Sequence, residues 1–561
     1  MPRYFLRSAT VFCLLALAAS ACRGLPGSSV SSAGETGRVV STTECTDLFV
    51  AHPLDFITSI SGETVRMFDS NGAGVAVDDL DNDGDQDIVL ANLKGPNAVF
   101  WNDGGLAFRK QDFPHGDSRS VAIVDVDGDG WLDIAFTHRL GALTYWRNTG
   151  STSKISEVFR DLGDLTEYFL EQPLPGVRNP AYAMAWGDLD QDGDLDLVTG
   201  SYDAELEQVL KDSFMFGGGA GVFYYENRDG TFVPQRLAEK AQTLAIALFD
   251  VNADGWLDIV AGNDFAVQDQ VWLHSTGGWQ PAQPFAATTH STMSFAAADI
   301  DNDGSQELFA TDMKPYADDP QTMAAWQPVM DGMHDTMMEG DPQRMENVLQ
   351  VCQPDGSFEN QAAAWGVEAT GWSWSSKFGD LDNDGFLDLY VVNGMAAEEL
   401  FSHLPGNELV EQNQAFQNEG GKRFVSRPQW NLNATQGGRG MTMADLDDDG
   451  DLDIVVNNLL APAVVFENQL CAGEALEIDL VWPDSKNTHA LGAHLTLHTS
   501  NGTFERDVRA VNGYASGDPV RVHLGFPTGA KLTRLDVRWP DGATSFVSDL
   551  AAGTRVTVTR R

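Results

Sequence analysis

Basic side chains are scarce in this chain: 35 lysines and arginines face 82 aspartates and glutamates, a formal net charge of −47. A surface so acidic repels phosphate backbones, which excludes nucleic acid as a partner. Long apolar runs are scarce too. The stretch Val11–Ala19 is too short to span a bilayer permanently, and no other segment could span one. Cysteine is sparse, with five in 561 residues, and no CxxC, HExxH or GxSxG occurs. The glycines of Gly217–Gly221 lack the following helix that a phosphate cradle needs. Enzyme chemistry has little to stand on.

What is abundant is one nine-residue pattern, repeated seven times, with acids at positions one, three, five and nine and glycine at position six. The first four sets are Asp79, Asp81, Asp83, Asp87; Asp125, Asp127, Asp129, Asp133; Asp188, Asp190, Asp192, Asp196; and Asp250, Asn252, Asp254, Asp258. The other three are Asp299, Asp301, Asp303, Glu307; Asp380, Asp382, Asp384, Asp388; and Asp445, Asp447, Asp449, Asp453. A single copy would pass for an acidic surface turn. Seven in register would not.

Four carboxylates at this spacing converge only if the chain turns sharply, which the glycine permits. Hard oxygen donors in a flexible cage favour Ca²⁺ over Mg²⁺, and the loops lack the His and Cys that Zn²⁺ prefers. An EF-hand would need a bidentate Glu at position twelve, where the first three loops carry Leu90, Phe136 and Thr199. The expected cofactor is therefore Ca²⁺, up to seven ions, in a structural role. Seven such ions would offset fourteen negative charges, and the remaining acidity fits solvation of a large exported surface.

Each loop runs into a short β-branched segment, such as Ile-Val-Leu after Asp87 or Ile-Val-Val after Asp453. A second run and a polar turn follow, as in Ala98–Gly105, Leu143–Gly150, Val222–Gly230 and Ala463–Asn468. The first acids are spaced 46 to 81 residues apart, the period of a solenoid or propeller. The loops and their flanks resemble FG-GAP (VCBS, integrin α-like) repeats over roughly residues 47–470. That resemblance implies an all-β fold, a seven-bladed β-propeller with Ca²⁺-binding hairpin loops. Radial closure would leave few free sheet edges. Cys45 precedes the first blade and Cys471 follows the last; in a closed propeller those ends meet, which suggests a disulfide between them.

Residues 471–561 hold ten basic and ten acidic residues, so all the excess acid lies before them and a separate module begins there. Alternation in Ala493–Leu497 and Arg534–Val537, with turn signals at Asn501-Gly502 and Asp541-Gly542, reads as a small β domain. Its Leu491–Ala493, Asn512–Gly517, Val522–Gly525 and Val537–Gly542 resemble the ASPIC/UnbV domain that follows FG-GAP repeats in surface proteins. His489, His494, His498 and His523 fall in this module, and alternation places His494 and His498 on one strand face; ordinary surface or core histidines outweigh a metal role.

At the other end, Arg3, Arg7 and the apolar stretch read as a signal peptide over residues 1–21. Ala19-Ser20-Ala21 before Cys22 resembles a lipobox, so lipidation of Cys22 is expected, followed by a Gly, Ser and Thr-rich flexible tether to residue 46. As a coil that tether would reach about 26 Å. Two insertions, Ser151–Pro180 and Asp312–Glu346, interrupt the repeats; the second carries Met323, Met330, Met333, Met337, Met338 and Met345, which read as packing over a blade.

The chain is thus expected to be exported, as a cell-envelope or surface lipoprotein or else freely secreted, touching membrane only through Cys22. Its expected role is a non-catalytic adhesion or recognition scaffold that binds an extracellular protein or glycan. The alternative is a calcium-dependent, lyase-type enzyme acting on polysaccharide, although no residue stands out as its base.

Overall fold

In the computed structural model the described residues are 29–38, 45–150, 165, 168–205, 221–265, 267–334 and 341–561. The signal peptide and Cys22 lie outside them, as do most of Gly217–Gly221 and part of each insertion. The chain is all-β. Each acidic loop joins two neighbouring strands of an antiparallel sheet, four-stranded except in the sixth, where Met313–Lys314 adds a fifth; the first sheet comprises Val75–Asp78, Asp87–Leu90, Pro96–Asn102 and Phe108–Gly116. The two inner strands, VAVD and DIVL, are buried at every position because both faces lie under neighbouring sheets, whereas along the outermost strand Phe113 alone is buried.

The same unit recurs with first strands Ser118–Val124, Ala183–Gly187, Thr243–Phe249, Ser294–Ala298, Gly371–Gly379 and Gly438–Ala444. In all of them the second strand begins at loop position nine, from Asp133 to Asp453. The first strands touch one another in cyclic order, and the last returns to Val75–Asp78. Val75, Val77, Ile88 and Phe100 share one apolar layer with Ala444, Leu446, Val455 and Val465 of the seventh sheet. This closed ring is consistent with a β-propeller.

Closure uses both ends of the repeat region. The outer strand of the seventh sheet is the N-terminal Phe49–Ile57, antiparallel to Pro462–Asn468. Beside it Cys45 and Cys471 form a disulfide, with Cα atoms 5.6 Å apart across 426 residues of sequence. Cys45→Ser is expected to cost about 2–5 kcal/mol, read as a lower urea midpoint, with a steeper slope because the uncrosslinked denatured chain exposes more surface. An unmoved midpoint would mean that strand pairing alone holds the ring shut.

Residues beyond 471 form two further four-stranded sheets packed face to face. One contains Glu474–Val481, Val522–Phe526 and Thr554–Arg560; the other contains His494–Thr499, Thr503–Asp507, Leu532–Arg538 and Thr544–Val547. Alternating Leu476, Ile478, Leu480 and Val556, Val558 meet Leu495, Leu497, Leu535 and Val537 between them. The fourth strand of the first sheet corrects the tether reading. Ser32–Arg38 pairs antiparallel along the whole of Thr554–Arg560, so this Gly and Ser-bearing segment is a sheet edge there, not a free coil. Backbone pairing of seven residues overrode a composition that favours coil.

This module sits on the hairpin end of the ring. Thr488 donates to Asp125 at 2.5 Å, Ser485 to the Gly193 carbonyl at 2.6 Å, and Arg521 and Arg555 to the Gly84 carbonyl at 3.1 and 3.0 Å. Its Val511–Gly517 segment enters the axis. The Gly513 N–H donates to Phe295 O, Gly517 N–H to Val75 O, and Val121 N–H to Ala515 O, while Ser516 accepts from Met441 N–H. These acceptors and donors belong to the first strands of the fifth, first, second and seventh sheets. A Cβ on Gly74 would collide with the Ala515 carbonyl oxygen, a measure of how closely the segment fits.

The second insertion contains a helix, Pro320–His334. It buries Trp326 completely, with Nε1 donating to Glu411 at 3.2 Å, and Val329 nearly so. Met323 and Met330 on the same helix are partly covered, and Met330 packs against the core cluster that holds Trp326 and Val329.

Candidate metal centres

The seven hairpins share one set of internal bonds. The first carboxylate accepts the N–H of the position-six glycine at 2.7–3.2 Å in every copy. The ninth accepts the N–H of position two at 2.9–3.2 Å. Both arrangements need a doubly bent loop. Besides the glycine (φ 87° to 105°), position four is left-handed in all seven: Asn82, Gly128, Gln191, Ala253, Asn302, Asn383 and Asp448 (φ 51° to 71°). Asn, Asp and Gly tolerate that conformation; Ala253 does not without strain.

So folded, carboxylate oxygens converge to within 4.8 Å of one another. Positions one, three and nine meet in Asp79, Asp81, Asp87, in Asp125, Asp127, Asp133 and in Asp380, Asp382, Asp388; positions one, three and five meet in Asp188, Asp190, Asp192 and in Asp299, Asp301, Asp303. In the fourth hairpin Asn252 Nδ2 donates to Asp254 at 3.1 Å, an amide standing where the other loops have a third-position carboxylate. In the second, Arg147 reaches Asp127 and also Asp129 at 2.6 Å. The seventh set, Asp445 to Asp453, makes the same glycine and position-two bonds as the rest.

A cation fits these clusters. Asp188 Oδ1 and Asp382 Oδ1 are buried oxygens with no hydrogen-bond donor among the described residues, a costly state for a carboxylate. The acidities agree. Burial, helped by neighbouring carboxylates, raises Asp133, Asp196 and Asp258 to about 8, Asp188 and Asp299 to about 7, and Asp79 and Asp125 to about 6. Glu307, Asp388 and Asp453 are pushed well above the usual range for the same reasons. A bound ion would offset that repulsion.

Two kinds of supporting residue escaped the sequence reading. Asn102, Asn148, Asn418 and Asn468 on the third strands each donate a backbone N–H to the ninth carboxylate of their own loop at 2.6–2.8 Å. Their amides donate to position two of the preceding hairpin, namely Leu446, Leu80, Ile300 and Leu381. Position-four side chains reach forward: Gln191 to Gly255 O, Asn302 to Gly385 O and Asn383 to Gly450 O. Neighbouring hairpins are thus laced together over much of the ring. The signal for the first kind was an asparagine recurring in the turns after the third strands.

The four C-terminal histidines do not assemble. His489 meets Thr488, His498 meets Asp536 at 2.9 Å, and His523 meets Gly450 O at 3.0 Å. Burial works against a charged His494, but Asp507 at 2.9 Å and Glu505 at 3.2 Å outweigh it and raise the ring to about 9.

The chain carries FG-GAP-like repeats and a C-terminal ASPIC and UnbV domain. The FG-GAP-like repeat family model matches residues 79–136, 250–310 and 399–456, and the ASPIC and UnbV model matches 477–561. The chain is homologous to cartilage acidic protein 1, at 25% identity over 420 residues to the human protein and 24% to the mouse protein. These alignments cover 62% of this chain and 60% and 62% of those proteins, so the chain spans about three fifths of the relatives it matches. Among solved structures, BBS1N in complex with ARL6DN covers 75% of this chain and 96% of its own, at TM-score 0.41 and 10% identity.

Proposed function

We propose that the chain is a seven-bladed propeller holding a Ca²⁺ ion in its hairpins, and that it serves outside the cytoplasm as a non-catalytic scaffold binding protein or glycan. The observation carrying this reading is the repeated convergence of carboxylate oxygens, two of them on Asp188 and Asp382 buried without donors among the described residues, on loops that share the same glycine and position-two bonds. Oxygen-only donors suit a hard ion, and calcium at extracellular concentrations matches the affinity of such modules. When bound, the ion neutralises the clustered carboxylates; the chain's own part is to hold them, through glycine N–H groups and the asparagine lacing, in the geometry that receives it. The FG-GAP repeats and the likeness to cartilage acidic protein 1 support an extracellular, adhesion-like role. Export through residues 1–21 and a lipid on Cys22 belong to the same proposal.

The test is to immobilise residues 23–561, pass envelope extract and purified glycans in millimolar calcium, and elute with chelator. An intact partner in the eluate is expected. New glycan chain ends in the flow-through with nothing retained would replace the scaffold with a polysaccharide-acting enzyme.

The fourth hairpin should be the weakest ion site, since it has three carboxylates, an internal Asn252 to Asp254 bond and a left-handed Ala253. Asn252→Asp is expected to raise affinity there roughly tenfold in a calorimetric titration. Seven equivalent sites before the change, or none tightened after it, would contradict this.

A further inference from the structure

We propose that the axial cavity at the end of the ring away from the hairpins binds a small amphiphilic amine, an apolar body bearing one positively charged nitrogen. This goes beyond the scaffold reading and does not depend on what the hairpins hold.

The first strands run from this cavity to the hairpins. Leu244 lies at the start of Thr243–Phe249 and Asp250 just past its end; Trp372 and Trp374 lie at the start of Gly371–Gly379 and Asp380 past its end. The cavity measures about 360 Å³. Phe68, Tyr202, Leu244, Met293, Trp372 and Met395 wall it, all of them buried.

It is blind. The Trp374 ring at its base lies 5.1 Å from that of Tyr514, whose hydroxyl bonds Tyr182 and the Gly72 N–H, so the inserted segment stops the axis from the other side. At the mouth Phe265 is 38% exposed, with exposed Glu399 beside it. The chamber is large enough for one small organic molecule and mainly apolar, the usual form of a ligand site.

Charge selects the molecule. Among the described residues the acids lining the cavity are Asp264 and Glu399, and no lysine or arginine lines it. Asp264 is 6% exposed and held by the Tyr202 hydroxyl at 2.5 Å and the Phe265 N–H at 2.8 Å, which fixes its carboxyl at the wall; burial raises its proton affinity, and a cation beside it would favour the ionised form. Arg119 pairs with Glu205; Arg439 lies behind the base, its guanidinium 4.2 Å from the Trp374 ring centroid, and donates to the Ser70 and Gly394 carbonyls. His290, the remaining basic group on the wall, is buried, which lowers its proton affinity. A cation arriving over aromatic faces and beside a buried carboxylate meets attraction from both; a carboxylate ligand meets repulsion.

The probe series is phenethylamine, 2-phenylethanol and 3-phenylpropionate, titrated calorimetrically into residues 23–561. Phenethylamine should bind one to one, about tenfold tighter than the alcohol, and 3-phenylpropionate should not bind. Asp264→Asn should lose about tenfold for the amine and leave the alcohol unchanged; Leu244→Trp should abolish both by filling the chamber. If Asp264→Asn does not fold, Glu399→Gln at the rim should weaken the amine alone. Equal binding of amine and acid, an unchanged Asp264→Asn or Glu399→Gln, or no binding of the amine at about 10 mM would overturn the proposal.

Discussion

Chelating divalent cations at pH 8 should bring the protein close to unfolding. An ion at tenfold excess over its dissociation constant adds about 1.4 kcal/mol, so seven sites add about 10 kcal/mol, comparable with the whole stability of an ordinary domain, about 5–15 kcal/mol. The pH dependence makes the test specific. The hairpin acids of the ion-free fold are raised to about 6 to 8 by burial and by one another. A carboxylate whose folded value exceeds its unfolded value contributes stability fully below about pH 4, and that contribution is lost as the pH rises through the folded value. The chelated protein should therefore lose stability from about pH 4 upward and melt at steadily lower temperature up to pH 8.5. With saturating calcium the slope should flatten or reverse, because the ion binds the deprotonated form. Scanning calorimetry in chelator and in calcium across that range decides it. A chelated melting temperature that does not fall between pH 5 and 8.5 would contradict both the acidities and the metal role.

Replacing Tyr514 by alanine should destabilise the whole chain, not just the C-terminal module. The side chain is fully buried, its ring lies 5.1 Å from Trp374 and 6.4 Å from Tyr182, and its hydroxyl accepts from Gly72 N–H at 2.7 Å. Large aromatic to alanine changes in a packed interior cost about 3–5 kcal/mol. Tyr514→Phe keeps the packing but strands the Gly72 N–H, and should cost about 1–3 kcal/mol. Because the segment bonds to the first strands of several sheets, ring and module should still unfold together in wild type and separate into two transitions in Tyr514→Ala. A single unshifted transition would mean that the plug is passive. The Phe variant separates the hydrogen bond from the packing.

Local sequence carried the repeating parts. Acids at positions one, three, five and nine with glycine at six specify a hairpin by themselves, because the bonds that shape it run between residues five to seven apart, such as Gly84 to Asp79 and Leu80 to Asp87. The β-branched runs after each loop likewise became the second strands. Those signals are short in range, so they survive without any knowledge of neighbours.

What only the tertiary structure decided is how distant segments meet. The ASPIC/UnbV-like Asn512–Gly517 was visible as a motif, yet nothing in its residues says that it threads the ring's axis and seals one end of a cavity. Ser32–Arg38 reads as a tether until Thr554–Arg560, more than five hundred residues away, offers it a sheet edge. The Asn468 amide has the same chemistry as any turn asparagine; its acceptor, Leu381 O, lies 87 residues earlier. Hydrogen bonds within a loop are written in spacing, whereas closure, capping and cavity arise from which surfaces are left to bury once every sheet has formed.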